Sequence, residues 1–470
     1  MVLSALTDSI SRSLDDASAA VTGMFQPTLR LGVTGLSGAG KTVFITALVN
    51  NLLNRGRMTQ LSAQRDGRIE AVVLQPQPDM TLPRFDYEAH LSALQADTPH
   101  WPASTRAISE LRLSFRLRSS GIFGALTGPT HLHLDIVDYP GEWLLDLSLL
   151  DKTYASWSSE TLNRLQHREE ARSYLALARA GDADLPLDED RARALANSYT
   201  EYLHSARLQG WSDLTPGRFL LPGDLAGSPV LTFAPLPTPA QVTRHSLWTE
   251  MDRRFEAYKA KVVKPFFRDH FARIDRQIVL VDVLGSIHKG PRAVEDLRRT
   301  LADVLGTFRP GLNGWLTSLL GGKRVERILF AATKADHLHH DQHPRLTAIA
   351  EALLADAKNR ADFSGAKTMA LSMASLRTTV EDSIERGGQS LNVVRGRLQH
   401  TGKQVALFPG DLPDDPSRIL APARAGADRW LDAEFGLMTF APARSTQKPG
   451  EGLPHIRLDR AAEFLIGDKL

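Results

Sequence analysis

The chain has 470 residues, of which 42% are hydrophobic and 23% charged, and this composition is typical of a folded globular protein rather than a disordered one. Its 56 Lys and Arg residues nearly balance 54 Asp and Glu residues, which argues against a specific nucleic-acid partner. The lack of cysteine excludes disulfides, thiolate metal sites and thiol nucleophiles. Because the apolar stretches are too short to span a bilayer, we expect a cytoplasmic protein.

The first predicted element is an amphipathic helix within residues 1–28, where Leu3, Leu6, Ile10 and Leu14 recur at helical spacing. Its apolar side can pack on the body of the protein. The alternative is a peripheral contact with a membrane or a partner, although the segment has few Lys or Arg residues to attract anionic lipid.

The next element is a glycine-rich turn between a short β pattern and a strong helical pattern, and its sequence GLSGAGKT matches a P-loop. Glycines let the backbone wrap around phosphates, so that successive N–H groups face the anion. We expect Lys41 to contact the reacting phosphates and the Thr42 hydroxyl to bind Mg²⁺. The predicted phosphate-binding residues are Ser37, Gly38, Ala39, Gly40, Lys41, Thr42 and Val43.

Further along the chain, the patterns predict a mostly parallel, doubly wound α/β sheet. Residues 67–74 indicate an extra strand and 85–94 a short helix, and the alternating segments 110–118 and 131–138 indicate an antiparallel pair. Buried strands are predicted again at 277–284, 327–333 and 367–373, with helices at 292–305 and 346–361 between them.

Residues 144–274 show no buried-strand pattern. They read as three long helices, at 154–180, 190–208 and 242–271, around a Pro- and Gly-rich crossing. The last ninety or so residues look mixed, with a hairpin near 393–408 and a closing helix for which Asp459 is the expected N-cap.

A second motif, DYPGE, ends the strand predicted at 131–138. Asp138 is placed to hold Mg²⁺ at the end of a strand beside the P-loop, and Gly141 to offer its N–H to the γ-phosphate. The same Asp-x-x-Gly spacing recurs at Asp282 and Gly285. The strand order favours Asp138, and we expect Asp282 to lie within the sheet as a structural carboxylate.

A third motif, TKAD, directly follows the strand predicted at 327–333, and His337 comes next. The Asp336 carboxylate can accept hydrogen bonds from guanine N1–H and N2–H₂, whereas adenine presents the wrong pattern. The Lys334 stem can lie over the purine face. A capped strand-to-helix turn with solvated charges is the alternative.

In this order the three motifs resemble the signature set of Ras-like GTPases. The whole chain resembles more closely the bacterial YcjX-like P-loop stress-protein family, through GLSGAGKT, WPAST, DYPGEW, LVDVLG, TKAD, MASLR and the ending PHIRLDRAAEFLIGDKL. The resemblance implies a Ras-like G domain with one antiparallel sheet edge, an inserted helical domain and a mixed C-terminal region. It also implies a GTP-binding switch that hydrolyses GTP with Mg²⁺, a role in envelope stress and a partner in the inner membrane, where the chain would lie peripherally.

On this resemblance the chain divides into a G domain at 29–143 and 275–380, a helical insertion at 144–274 that docks a partner, and an α/β extension at 381–470. Residues Ala374, Ser375 and Leu376 match the loop whose backbone reads guanine O6. Thr105 fits the switch threonine that binds Mg²⁺, with Trp101 packing near the nucleotide. Thr98 and Ser104 are rivals for that role, and Ser104 is also a predicted nucleotide contact.

Glu142 departs from the small GTPases, which carry a water-orienting glutamine at this position. Its carboxylate would repel the γ-phosphate, yet it could also take a proton from water, so it is a catalytic candidate together with Lys41 and Thr105. We therefore expect slow or partner-dependent hydrolysis. Arg106 is a candidate internal arginine finger, with a salt-bridged surface arginine as the alternative.

Two other classes of protein stay open. One is a phosphotransferase or another P-loop enzyme that uses ATP. The other is a nucleotide-stabilised scaffold without turnover.

Overall fold

The computed structural model describes residues 27–36, 38–103, 107–118, 130–179, 183–307, 325–360, 365–430, 434–444 and 448–470. The helix predicted for the N-terminal segment falls on residues 1–26 and lies outside them. Within the described ranges, no helix is both long enough and apolar enough to cross a bilayer.

Seven strands form one sheet in the order β2-β3-β4-β1-β5-β6-β7. They are β1 Thr28–Gly35, β2 Ile69–Gln75, β3 Ser109–Leu117, β4 Thr130–Asp138, β5 Arg276–Val281, β6 Arg327–Ala332 and β7 Lys367–Ser372. Strands β4, β1, β5, β6 and β7 pair in parallel, and β3 runs antiparallel to both β2 and β4. The α/β class and the mostly parallel sheet are thus confirmed, while the antiparallel strand lies one position inside the edge.

Helices cover both faces of this sheet. They are α1 Lys41–Asn54, α2 Ser62–Arg65, α3 Tyr87–Gln95, α4 Gly141–Leu145, α5 Tyr154–Leu165, α6 Arg172–Arg179, α7 Glu189–Gln209, α8 Gly217–Leu220, α9 Leu247–Tyr258, α10 Lys264–Asp269, α11 Val283–Lys289, α12 Pro291–Thr307, α13 His343–Arg360, α14 Ser417–Arg424 and α15 Leu458–Ile466. The described residues of the segment 144–274 form helices and no strand, as expected, with irregular stretches such as residues 232–246 between the helices.

Several predicted bounds were wrong. The strand expected at 277–284 ends at Val281, because Asp282 caps α11 by accepting a hydrogen bond from the N–H of Gly285. The long helix expected at 154–180 is divided into α5 and α6 by a 3₁₀ turn. Asp459 lies in the first turn of α15 instead of capping it, and its carboxylate accepts a hydrogen bond from the N–H of Gln60.

Alternate side chains of each central strand enter two different hydrophobic cores. In β5, Val279 and Val281 pack with the helices α4–α10, whereas Ile278 and Leu280 pack with α1 and α15 on the other face. A strand buried on both faces reads as a continuous apolar run, which explains why the sequence predicted it readily. The helices α4–α10 share their core with the sheet, so the inserted domain remains a prediction, as do all the domain boundaries.

A small sheet lies near the C-terminus. It has the order β10-β9-β8, and its antiparallel strands are β8 Val380–Arg386, β9 Gln389–Arg397 and β10 Gln404–Leu407. The predicted hairpin is its β9–β10 pair, and β8 adds a third strand. The closing helix α15 instead packs on β5 and β6, so the last residues belong to the large sheet's core.

Candidate functional site

A cleft of about 510 Å³ opens beyond the carboxyl ends of β1, β6 and β7. Ligands of open α/β sheets bind at this edge, where the chain leaves β1 for strands on either side. The cleft brings together most of the residues singled out in the sequence. Those lining it are Gly38, Ala39, Gly40, Lys41, Thr42, Val43, Trp101, Gly141, Glu142, Lys334, Asp336, His337, Ala374, Ser375 and Leu376.

The P-loop turn connects β1 to α1 and requires glycine at two described positions. Gly38 and Gly40 have φ angles of 75° and 80°, in the left-handed region that other residues rarely adopt. A Cβ at either position would meet nothing within 4 Å, so backbone conformation and not space demands the glycine. The first turn of α1 contains no acidic residue, which leaves the positive end of the helix facing the cleft.

Lys41 and Asp138 form the most buried ion pair of the cleft. The Lys41 Nζ lies 2.5 Å from Asp138 Oδ1, and the two side chains are 11% and 1% exposed. Beside them, Thr42 Oγ1 lies 3.5 Å from the carbonyl oxygen of Ala103, at the outer limit of a hydrogen bond. The structure therefore joins the ends of β1 and β4, where the phosphate and metal contacts are predicted.

Gly141 and Glu142 follow β4 and lie against the P-loop. A Cβ on Gly141 would come within 1.9 Å of the Gly35 carbonyl oxygen, so only glycine permits this close approach. The Glu142 side chain is 8% exposed, and its Oε1 lies 3.1 Å from Nη2 of Arg207, in the last turn of α7. Glu142 thus faces a cation from the helical segment, which partly offsets its charge.

At the other end of the cleft, Lys334 adopts a left-handed conformation with φ 62° and forms an ion pair with Asp282. Such a conformation is unusual outside glycine. Asp282 had been expected within the sheet. It lies instead at the carboxyl end of β5, where it caps α11 and anchors Lys334, so its structural role is confirmed but its position is corrected.

Asp336 is held in a fixed orientation. Its Oδ2 accepts hydrogen bonds from the N–H of Thr378, at 2.8 Å, and from the Thr378 hydroxyl, at 2.6 Å. The hydroxyl of Thr379 donates to the backbone carbonyl of Asp336. A residue that is 4% exposed and bonded through one oxygen is well placed to present a carboxylate to a ligand.

The loop after β7 is tied to the C-terminal segment. Ala374 donates its N–H to the Ile456 carbonyl at 3.0 Å and accepts the Ile456 N–H at 2.9 Å. The Ala374 N–H is therefore already bonded within the protein. Of the three residues predicted to contact a base through their backbone, Ser375 and Leu376 are left as candidates.

The sequence as a whole matches a known protein family. The model of the YcjX-like family, DUF463, matches residues 29–470, which is nearly the whole chain. The chain belongs to the YcjX-like family.

Two curated relatives align with this YcjX-like protein over almost the full length of both chains. "Ras-like GTPase YcjX" of Escherichia coli (strain K12) is 40% identical over 457 residues, covering 94% of this chain and 96% of that protein. "Ras-like GTPase YcjX" of Shewanella oneidensis is 36% identical over 468 residues, covering 94% of each chain. The chain is therefore similar along its length, and not only in its motifs, to proteins named as Ras-like GTPases.

Part of the cleft wall in this YcjX-like chain was missed in the sequence. Leu437, Met438, Thr439 and Phe440 line it from beyond the small sheet, and Trp101 donates its indole N–H to the Phe440 carbonyl at 2.9 Å. The His337 ring packs edge-on against Phe440, and burial lowers the pKa of His337 below its usual value. No motif marks this wall, because it depends on how distant segments pack.

Four predicted residues lie outside the described part of the chain: Ser37, Ser104, Thr105 and Arg106. Their assignments remain predictions, including the choice of the switch threonine. The extra elements expected between the P-loop and that threonine are present as α2, β2 and α3.

Proposed function

We propose that this chain binds GTP with Mg²⁺ in the cleft and hydrolyses it slowly to GDP, acting as a molecular switch. The observation that carries this proposal is the arrangement of Lys41 with Asp138 at one end of the cleft and Asp336 at the other. A phosphate chain needs the first end and a guanine base needs the second.

The phosphate end fits a magnesium ion. The Thr42 hydroxyl and the Asp138 carboxylate are oxygen donors, which Mg²⁺ prefers, and we propose Thr105 as a third ligand. When a nucleotide gives Lys41 a phosphate partner, a bound Mg²⁺ can replace the lysine as the cation beside the buried Asp138 carboxylate. Bound Mg²⁺ supplies that charge and neutralises the phosphates.

The base end supports guanine over adenine. Thr378 occupies Oδ2 of Asp336 with two hydrogen bonds, which orients the carboxylate toward donors on a purine such as N1–H and N2–H₂. We assign Lys334 to one face of the purine, because Asp282 holds its ammonium group and leaves the stem lining the cleft. Ser375 and Leu376 would offer N–H groups to O6.

Slow hydrolysis follows from the residue at the reacting end. Glu142 stands where a neutral glutamine would orient the attacking water, and its carboxylate is paired with Arg207. Phosphoryl transfer proceeds through a loose transition state that gains little from a strong base, so we assign Glu142 a restraining role. Lys41 and the backbone N–H groups of residues 38–42 would stabilise the charge on the phosphates.

We further propose that the helical residues 144–274 form an insertion that reports the state of the nucleotide to a protein partner. Arg207 supports this, because it links the helical segment to Glu142 beside the predicted γ-phosphate position. A cytoplasmic location, peripheral at the inner membrane, and a function in envelope stress belong to the same proposal.

Competitive binding and turnover test the proposal. We expect calorimetric titration with Mg²⁺ to show GTP and GDP binding at least about a hundredfold more tightly than ATP, since a base site loses much affinity when its polar groups are left unpaired. Purified protein should then convert GTP to GDP in a single-turnover assay.

Equal affinity for ATP and GTP would contradict the guanine assignment and favour an ATP-using enzyme. Tight binding of GTP with no GDP formed over many hours would contradict hydrolysis and favour a nucleotide-stabilised scaffold.

A further inference from the structure

A cluster of histidine and carboxylate side chains follows the base end of the cleft but does not line it. His339, His340 and Asp341 lie between Asp336 and α13, and each offers a ligand atom within 4.8 Å of the others. Glu381, on β8, contacts the two rings from the opposite side. These four residues, the HHDE cluster, have no part in the proposed nucleotide chemistry.

The distances around Asp341 suit a common metal ion. Asp341 Oδ2 lies 3.0 Å from His339 Nδ1, and Asp341 Oδ1 lies 3.1 Å from His340 Nε2. Ligands of a tetrahedral Zn²⁺, each about 2.0–2.1 Å from the metal, are separated by roughly 3.3 Å. Each imidazole nitrogen thus lies near this spacing from one Asp341 oxygen, and one ligand atom from each of the three residues lies within 4.8 Å of the others. Two imidazoles and a carboxylate are a donor set that zinc accepts.

The nitrogen of His339 that faces Asp341 is otherwise unsatisfied. Nδ1 is buried and has no hydrogen-bond partner among the residues that the structure describes, although the Asp341 oxygen is only 3.0 Å away. The two atoms are therefore close without the alignment of a hydrogen bond. A buried ring nitrogen without a partner is costly, and a metal ion between it and the carboxylate would satisfy both.

The second layer of contacts has the form found around metal-bound histidines. Glu381 Oε2 lies 2.8 Å from His340 Nδ1, the ring nitrogen on the side away from Asp341. Metal-ligating histidines almost always donate their other ring N–H to such a carboxylate. Asn392, on β9, donates to Asp341 Oδ2 at 2.7 Å and helps to orient that ligand.

We propose that His339 Nδ1, His340 Nε2 and the Asp341 carboxylate bind a divalent transition metal of the zinc type, with Glu381 orienting the His340 ring. Three protein ligands leave a fourth position for water, and His340 and Asp341 are solvent-accessible. The site is distinct from the Mg²⁺ site of the cleft, because Mg²⁺ favours all-oxygen coordination.

The position of the cluster gives the metal a consequence for the fold. The ligands come from the turn after Asp336, and Glu381 and Asn392 come from β8 and β9 of the small sheet. A metal bound here fixes the turn that follows the base-recognition residue, and Glu381 and Asn392 connect that turn to the small sheet. Because the metal binds only the native arrangement, its binding raises the melting temperature.

Titration of the full, untagged chain with Zn²⁺ in the absence of nucleotide tests the proposal. We expect one equivalent to bind and the melting temperature to rise, with excess Mg²⁺ unable to compete. Replacement of Zn²⁺ by Co²⁺ should give visible d–d absorption of a low-symmetry site. His339→Ala, His340→Ala and Asp341→Asn should each weaken Zn²⁺ binding at least tenfold, and Glu381→Gln about tenfold or more.

His204→Ala, which removes an exposed histidine on α7, is the matched control and should bind Zn²⁺ like the wild type. Retained binding in the ligand variants would overturn the proposal, as would a wild-type chain that binds no Zn²⁺ at micromolar concentration; the HHDE cluster would then be an ion-pair network. GTP binding measured on the same variants separates this inference from the proposed function, since either can fail while the other holds.

Discussion

Two lysine–aspartate pairs stand at opposite ends of the cleft. Asp138 and Asp282 both begin an Asp-x-x-Gly sequence, and each lies at the carboxyl end of a strand that pairs directly with β1. Asp138 pairs with Lys41 of the P-loop, whereas Asp282 pairs with Lys334 and caps α11. Equal motifs at equivalent positions thus have different partners.

The difference teaches that the partner of each aspartate, not its motif, indicates its role. The Lys41–Asp138 pair is nearly inaccessible. If the cleft binds a nucleotide as proposed, the phosphates take over Lys41 and separate this pair. The Lys334–Asp282 pair can persist in such a complex, where the lysine would contribute its stem and not its charge. On the proposed function, the first pair is therefore part of a switch and the second a fixed support.

The largest expected effect is on GTP affinity, and it distinguishes Lys41 from Lys334. Lys41→Ala should abolish measurable GTP binding, because it removes the charge-assisted contact to the phosphates, whereas Lys334→Ala should weaken it about tenfold or less. Calorimetric titration with GTP and Mg²⁺ measures both. Unchanged affinity in Lys41→Ala would contradict the P-loop assignment.

The control for the Lys41→Ala prediction follows from the burial of the Lys41–Asp138 pair. Lys41 is only 11% exposed and neutralises a buried carboxylate. Lys41→Ala alone should therefore lower the melting temperature. The double variant Lys41→Ala/Asp138→Asn removes both charges, recovers most of that loss and still binds no GTP.

Asp336→Asn tests the base end, where we expect GTP affinity to fall about ten- to a hundredfold and affinity for xanthosine triphosphate to rise. Thr378 donates twice to Oδ2, so the asparagine oxygen will face Thr378 and its NH₂ group will face the cleft. That group can donate to the xanthine carbonyl. Calorimetric titration with GTP and with xanthosine triphosphate measures both affinities. Unaltered GTP affinity would remove Asp336 from the base site.

Replacing Asp138 and Asp282 by asparagine, in two separate variants, tests whether the two aspartates have different roles. Asp138→Asn should reduce the enhancement of GTP affinity by Mg²⁺ about tenfold, because it removes a charged oxygen ligand. Asp282→Asn should leave the Mg²⁺ dependence intact and change GTP affinity less than about threefold, since asparagine still caps a helix. GTP titrations at several Mg²⁺ concentrations measure both, and the reverse result would exchange the roles of the two motifs.

The sequence predicted what depends on local pattern. The P-loop lies between a strand and a helix of matching period, and β5 and β6 are buried on both faces and appear as continuous apolar runs. These features predicted the α/β class, the parallel sheet and the phosphate end of the cleft, whereas the other predicted lining residues came from the later motifs and the family resemblance. The end of β5 was misplaced because Val283 and Leu284 continue the apolar run, although Asp282 already caps the next helix.

What the sequence could not predict depends on contacts between distant segments. Arg207 contacts Glu142 from α7, and Phe440 contacts Trp101 although the two residues are 339 positions apart in the chain. Nothing in the local pattern of either residue distinguishes it from an ordinary surface arginine or core phenylalanine. The same holds for Ala374, which donates its N–H to the carbonyl of Ile456 in the C-terminal segment and not to a base.

The smallest expected effects are those of substitutions at Glu142 and Arg207, beside the phosphate end of the cleft. Arg207→Ala removes the cation paired with Glu142 and should weaken GTP binding about three- to tenfold. The double variant Glu142→Gln/Arg207→Ala should restore GTP binding, because the uncompensated carboxylate is then gone. Arg193→Ala, at an exposed position on the same helix, is the control and should have no effect.

Hydrolysis by Glu142→Gln alone distinguishes a restraining carboxylate from a general base. If Glu142 only restrains, removing its charge while keeping its shape frees Arg207 and relieves repulsion of the γ-phosphate, so the rate stays unchanged or rises by up to about fivefold. If Glu142 takes the proton from water, the rate should fall about a hundredfold or more. Single-turnover rates with both proteins saturated by GTP and Mg²⁺ give the answer. Because Arg207 already offsets part of the charge of Glu142, we expect the smaller change, and a fall of about tenfold or more would make Glu142 catalytic.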